Sequence, residues 1–107
     1  MKRTKITVLK RTFQEDIVKE YGGETLCACP FLKEGDVFYA DHRKPEGFCD
    51  EAWLAIQHFV FACSHGAKDF YFGGWNKVPG VAIAACPDGF RPVIFKIEAT
   101  EEDSTRG

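Results

Sequence analysis

The 107-residue sequence lacks any apolar run long enough to cross a bilayer. Its longest strongly apolar stretch, "AWLAIQHFVFAC", is interrupted by Gln57 and His58 and falls short of the roughly 20 residues that a spanning helix needs. An export signal is missing too. "MKRTKITVLK" starts basic, but its apolar residues alternate with polar ones and build no continuous hydrophobic segment. Gly73–Gly74 is followed by neither a helical pattern nor Lys-Ser/Thr, so there is no phosphate-binding loop of that kind. Neither G-x-S-x-G nor H-E-x-x-H occurs. There is no basic excess: a formal net charge of −2 and a pI near 5.9 argue against a protein built to neutralise phosphates. No nucleic-acid partner and no membrane partner are expected. The expected location is cytoplasmic, where cysteines stay reduced, and an odd count of five fits that reading.

What is present is enough for one domain. At this length folding buries roughly 65% of the surface that the extended chain exposes, a real core without disulfides. Ten Phe, three Tyr and two Trp make that core, or an interface, rich in rings. Charge is uneven, with Lys2, Arg3, Lys5, Lys10 and Arg11 near the start and Glu98, Glu101, Glu102 and Asp103 near the end. The reading is a solvated strand and a frayed tail: a domain over residues 1–99 and a disordered acidic tail over 100–107.

"KITVLKRTF" alternates and predicts a strand over 4–12; "QEDIVKEYGG" offers a short helix stopped by Gly22–Gly23. After a turn at Glu34–Gly35–Asp36 comes a strand over 37–40. From Asp50 the period becomes helical, with Cys49, Ala52, Trp53, Ile56, Val60 and Cys63 on one apolar stripe. Asp50 suits the N-cap and Gly66 the stop. Trp53 is expected to be buried against the sheet, so its truncation to Ala should cost roughly 3–5 kcal/mol. "DFYFGGW" reads as a loop laying rings over something. "VAIAAC" and "RPVIFKIEA" flank "PDGF" as a hairpin, with Gly89 expected at positive φ. The order β-α-β-α-β-β predicts an α+β domain, a mainly antiparallel sheet with the long helix on one face. The other face is expected to carry Ala82, Ala84 and Cys86 with Lys96.

Cysteines stand at 27, 29, 49, 63 and 86. The paired C-x-x-C spacing of zinc ribbons does not occur. Cys63 lies inside the helical stripe and reads as core. Cys29, Cys49 and Cys86 each stand where an element begins or ends, and in a small α+β domain such ends share edges. If they converge, three thiolates suit a soft metal such as zinc or iron, or thiol redox chemistry. If they do not, they are three buried thiols. Cys49, Arg91 and Asp88 are the candidate catalytic residues; Arg91 either holds a ligand carboxylate or a thiolate, or pairs with Asp88. His42, in the loop after the second strand, is a further candidate metal ligand. His58 and His65 lie too far apart on the helix for one ion to bridge.

Together "KITVLK", "CPFLKEGDVF", "PEGFCDEAWLAI" and "CPDGFRPVIFKIE" resemble a family of short, functionally unassigned proteins found largely in anaerobic bacteria and archaea. The resemblance runs over roughly Lys5 to Glu98 and falls on Cys29, Cys49, Trp53, Cys86, Asp88, Gly89 and Arg91. It implies no activity, but an anaerobic setting suits an oxygen-sensitive thiol or metal site.

Two functional readings follow. One is a thiol site, metal-binding or redox, built from Cys29, Cys49 and Cys86 and open to a small-molecule ligand. The other is a non-catalytic binding or assembly module, most simply a homodimer, using the aromatic loop 70–75 and the small-residue sheet face.

Overall fold

A computed structural model describes residues 1–104. The elements are β1 (Lys2–Arg11), α1 (Glu15–Tyr21), β2 (Val37–Ala40), α2 (Asp50–Ser64), β3 (Val81–Ala85) and β4 (Val93–Asp103). The four strands form one sheet in the order β2-β1-β4-β3, with every neighbouring pair antiparallel. The fold is therefore the α+β arrangement expected. Among the described residues no helix is long and apolar enough to cross a membrane.

Strand alternation decides which side chains enter the core. In β1 Thr4, Ile6 and Val8 turn inward, and in β4 Val93, Phe95 and Ile97 do the same, with Ile6 opposite Ile97 and Val8 opposite Phe95. The helix α2 buries Ala52, Ile56, Phe59, Val60 and Cys63 in the same core. The Thr4 hydroxyl donates to the Val60 carbonyl at 3.4 Å, satisfying a buried polar group between sheet and helix. The loop "DFYFGGW" lays Phe70 and Trp75 over Phe59, at centroid distances of 5.9 and 6.4 Å, and leaves Tyr71 and Phe72 exposed.

Five expectations need correction. Trp53 is only half-buried: its ring lies at the edge of the stripe against Phe48, while Ile56 and Val60 hold the centre. The α2 N-cap is Cys49, one residue before Asp50, whose carboxylate is held by Lys44 at 3.0 Å. Ala82 and Ala84 pair with Ile97 and Phe95 and so share the helix-covered face; Ile83, opposite Lys96, is on the outer one. The connection between β3 and β4 runs over residues 86–92 and Gly89 does not take positive φ. Asp88 shapes it instead, its Oδ1 accepting from the backbone N–H of Phe90 at 3.0 Å and of Arg91 at 3.4 Å. Finally, residues 100–103 continue β4, with Asp103 opposite Lys2. Lys2–Asp103 at 2.8 Å and Arg3–Glu102 at 3.4 Å join the basic start to the acidic end. The remainder of the expected tail, 105–107, lies outside the described residues.

Candidate thiol site

Three local features bring Cys29, Cys49 and Cys86 to the lining of one cavity. The first is the entry to α2. Phe48 is buried, 3% exposed, with its ring against Phe38 at 5.0 Å, Phe95 at 5.5 Å and Trp53 at 6.3 Å. Phe48 precedes the N-cap and Trp53 sits in the first turn, so the pair staples the chain's angle of entry. Cys49, between them, accepts the Trp53 N–H on its own carbonyl at 3.0 Å, and its side chain caps nothing.

The second is the end of β3. The Cys86 N–H donates to the Val93 carbonyl at 3.1 Å, and the Val93 N–H donates to Cys86 Sγ at 3.3 Å. The sulfur takes a backbone donor at the mouth of the 86–92 connection and is fixed by it. That connection is tied to the β1–α1 junction by Gln14 N–H donating to Phe90 O at 2.8 Å and Thr12 N–H to Pro92 O at 2.9 Å.

The third is the loop of Cys27 and Cys29. Arg11 Nη1 donates to the Cys29 carbonyl at 2.8 Å and Arg91 Nη1 to the Cys27 carbonyl at 3.1 Å. Two arginines from opposite sides of the chain thus clasp a loop that has no helix or strand of its own. Arg91 is itself oriented by Asp88, Nε to Oδ2 at 3.0 Å. Burial pushes the Asp88 carboxyl up, but the Arg91 hydrogen bond, with the two backbone donors, outweighs it and holds the group below its ordinary value. Arg91 is pushed up chiefly by its hydrogen bond to Asp88, with smaller contributions from the Cys29 and Cys27 charges.

The result is a cavity of about 290 Å³ lined by Cys29, Cys49 and Cys86 together with Asp88, Arg91 and Glu51. All three thiols also touch the hydrophobic core, so the pocket has an apolar back and a charged rim. Cys63 is apart from them, 1% exposed within the core, and burial pushes its thiol up to about 11. All five cysteines are free thiols.

His42 does not join this pocket; it lines a different cavity with His58. Among the described residues no group of three or more His, Cys, Asp or Glu side chains is placed to hold a metal ion. Cys29, Cys49 and Cys86 thus share the lining of one cavity without being grouped to hold a metal ion. Sequence reasoning missed Phe31 and Arg11, which reach the site only through loop packing.

No protein-family model, curated protein or solved structure matches this chain. The chemistry of the pocket therefore carries the functional argument alone.

Proposed function

We infer that this chain is a small thiol protein whose working site is the pocket of Cys29, Cys49 and Cys86. The observation that supports the reading is the shared lining of one cavity by these three thiols and Arg91. A substrate of the disulfide class, carrying a carboxylate for Arg91, fits that lining. Cys49 is assigned as the attacking group because it stands at the start of α2 in the shared lining of the cavity, its side chain engaged by no capping bond. Its thiolate displaces one sulfur of the substrate disulfide, forming a mixed disulfide and releasing one small thiolate. A second pocket thiolate, Cys86 or Cys29, then attacks the Cys49 sulfur and releases the second. Two protein thiols are oxidised to one disulfide while one substrate disulfide is reduced to two thiols, so atoms and electrons balance. Cys29 is the candidate for this closing step, since only its backbone carbonyl is engaged, by Arg11, whereas the Cys86 sulfur is itself held by the Val93 N–H. The reading supposes a reducing, cytoplasmic setting.

The experiment is anaerobic purification followed by metal analysis and titration with oxidised glutathione. The account expects two protein thiols consumed per disulfide reduced, with the stoichiometry lost in Cys49→Ser. Stoichiometric zinc or iron in the wild-type protein, lost in the same variant, would replace this chemistry with metal binding.

Self-association is a second reading. Tyr71 and Phe72, at 75% and 65% exposure, present two adjacent rings to solvent, and Tyr71 takes φ 59°, an uncommon conformation for a bulky residue. A homodimer would cover them. A monomeric mass by light scattering at micromolar concentration and above excludes it.

A further inference from the structure

A second cavity, of about 390 Å³, shares no residue with the thiol pocket. Trp53, Gln57 and Phe61 stand at four-residue intervals on α2 and form one row along its wall. His58 flanks the row, and Asp41 and His42 enter from the loop that follows β2. The size is that of a small-molecule site.

Its polar groups divide into two sets. Asp41 is engaged, with Arg3 Nε at 3.3 Å and the Ser104 hydroxyl at 3.1 Å. Ser64, at the far end, gives its hydroxyl to the Phe61 carbonyl at 2.7 Å. The side chains of His42, Gln57 and His58 and the indole N–H of Trp53, by contrast, make no hydrogen bond or ion pair among the described residues. One amide, two imidazoles and one indole donor are thus free to serve a ligand.

No Lys or Arg side chain lines the cavity and its single carboxylate is already paired with Arg3, so no side-chain charge selects the ligand, and the one cation on a lining residue is the Met1 α-ammonium. The side chains present suit a molecule with flat apolar faces for the Trp53 and Phe61 rings and an edge alternating donors and acceptors for the amide and imidazoles. A sugar offers hydroxyls but no π-face. We propose that this cavity binds a planar nitrogen heterocycle of the nucleobase type. The ring stacks on Trp53 or Phe61, and its edge is read by Gln57 with His42 and His58.

The test is calorimetric titration of the full chain with adenosine, uridine and methyl glucoside. Saturable binding of at least one nucleoside is expected. Gln57 is exposed and unpaired, so Gln57→Ala leaves the fold intact, and loss of its hydrogen bonds weakens binding roughly 5- to 10-fold. Binding should be unchanged in Cys49→Ser, which separates this cavity from the thiol site. No saturable heat from either nucleoside up to millimolar concentration overturns the proposal. So does nucleoside binding that the double variant Gln57→Ala/His58→Ala retains in full, or saturable binding of the glucoside alone.

Discussion

Arg91 and Cys27 are 64 residues apart in the chain, yet the guanidinium Nη1 of one donates to the carbonyl of the other at 3.1 Å. Because Arg91 is locked to Asp88 through Nε, this bond connects the β3–β4 turn to the loop that carries Cys29. Arg91→Met should therefore change the chemistry of the Cys29 loop more than it changes the fold. The alkylation rate of Cys29, read by peptide mass mapping, should rise as the loop is released, with the melting temperature nearly unchanged. An unaltered Cys29 rate would show that the clasp does not hold the loop.

Acid should act on the same connection. Asp88 is held below its ordinary value in the folded chain. The stability it contributes is present above the ordinary carboxyl range and is lost as pH falls through the depressed folded value. In wild type the Cys29 alkylation rate, corrected to a fixed thiolate fraction, should approach that of Asp88→Asn only at strongly acidic pH. Convergence already near neutrality would contradict the pairing.

Cys63 gives the opposite window. Its thiol, ordinarily near 9, is raised to about 11 by burial and by Glu98. Above pH 9 the unfolded chain loses this proton while the folded chain keeps it. Stability therefore falls as pH rises from 9 and this contribution is gone beyond about 11. Urea midpoints measured across that range should decline less steeply in Cys63→Ala than in wild type. Equal slopes would mean that the thiol is not buried.

The α2 stripe predicts a ranking. Ile56 is fully buried, so Ile56→Ala should cost about 2–5 kcal/mol. Trp53 is half-buried at the rim, so Trp53→Ala should cost less, about 1–3 kcal/mol, mainly through the lost contact with Phe48. Urea unfolding of the two variants side by side checks the order, and a reversed order would put Trp53 in the centre.

These features were unequally legible in the sequence. The alternation of Val93, Phe95 and Ile97 and the three- and four-residue spacing from Ala52 to Cys63 are local patterns, and they name the inner faces of β4 and α2 directly. The positions of Cys29, Cys49 and Cys86 at element ends left open whether they share an edge, and their common lining of one cavity is set by packing that no local pattern describes. Three further things were not local. The register that puts Ala82 beneath the helix depends on which β4 residue it faces, Ile97. The extension of β4 to Asp103 depends on cation partners about a hundred residues away. The clasp by Arg11 and Arg91 depends on a loop whose path no periodicity describes. His42 was misplaced for the same reason: a loop residue beside β2 points to whatever that edge adjoins, and here that is the cavity shared with Trp53, Gln57 and His58.

The most direct test of the three-thiol site is the site-resolved reaction of the native protein with oxidised glutathione, quenched early and mapped by mass spectrometry. Cys27 is the most exposed cysteine, while Cys29, Cys49 and Cys86 are half-buried, so exposure alone and a working pocket rank them oppositely. The account predicts that the first products are glutathione adducts or an intrachain disulfide within Cys29, Cys49 and Cys86, with Cys63 untouched. Adducts that accumulate first on Cys27 and reach the other three only as the protein unfolds would contradict it.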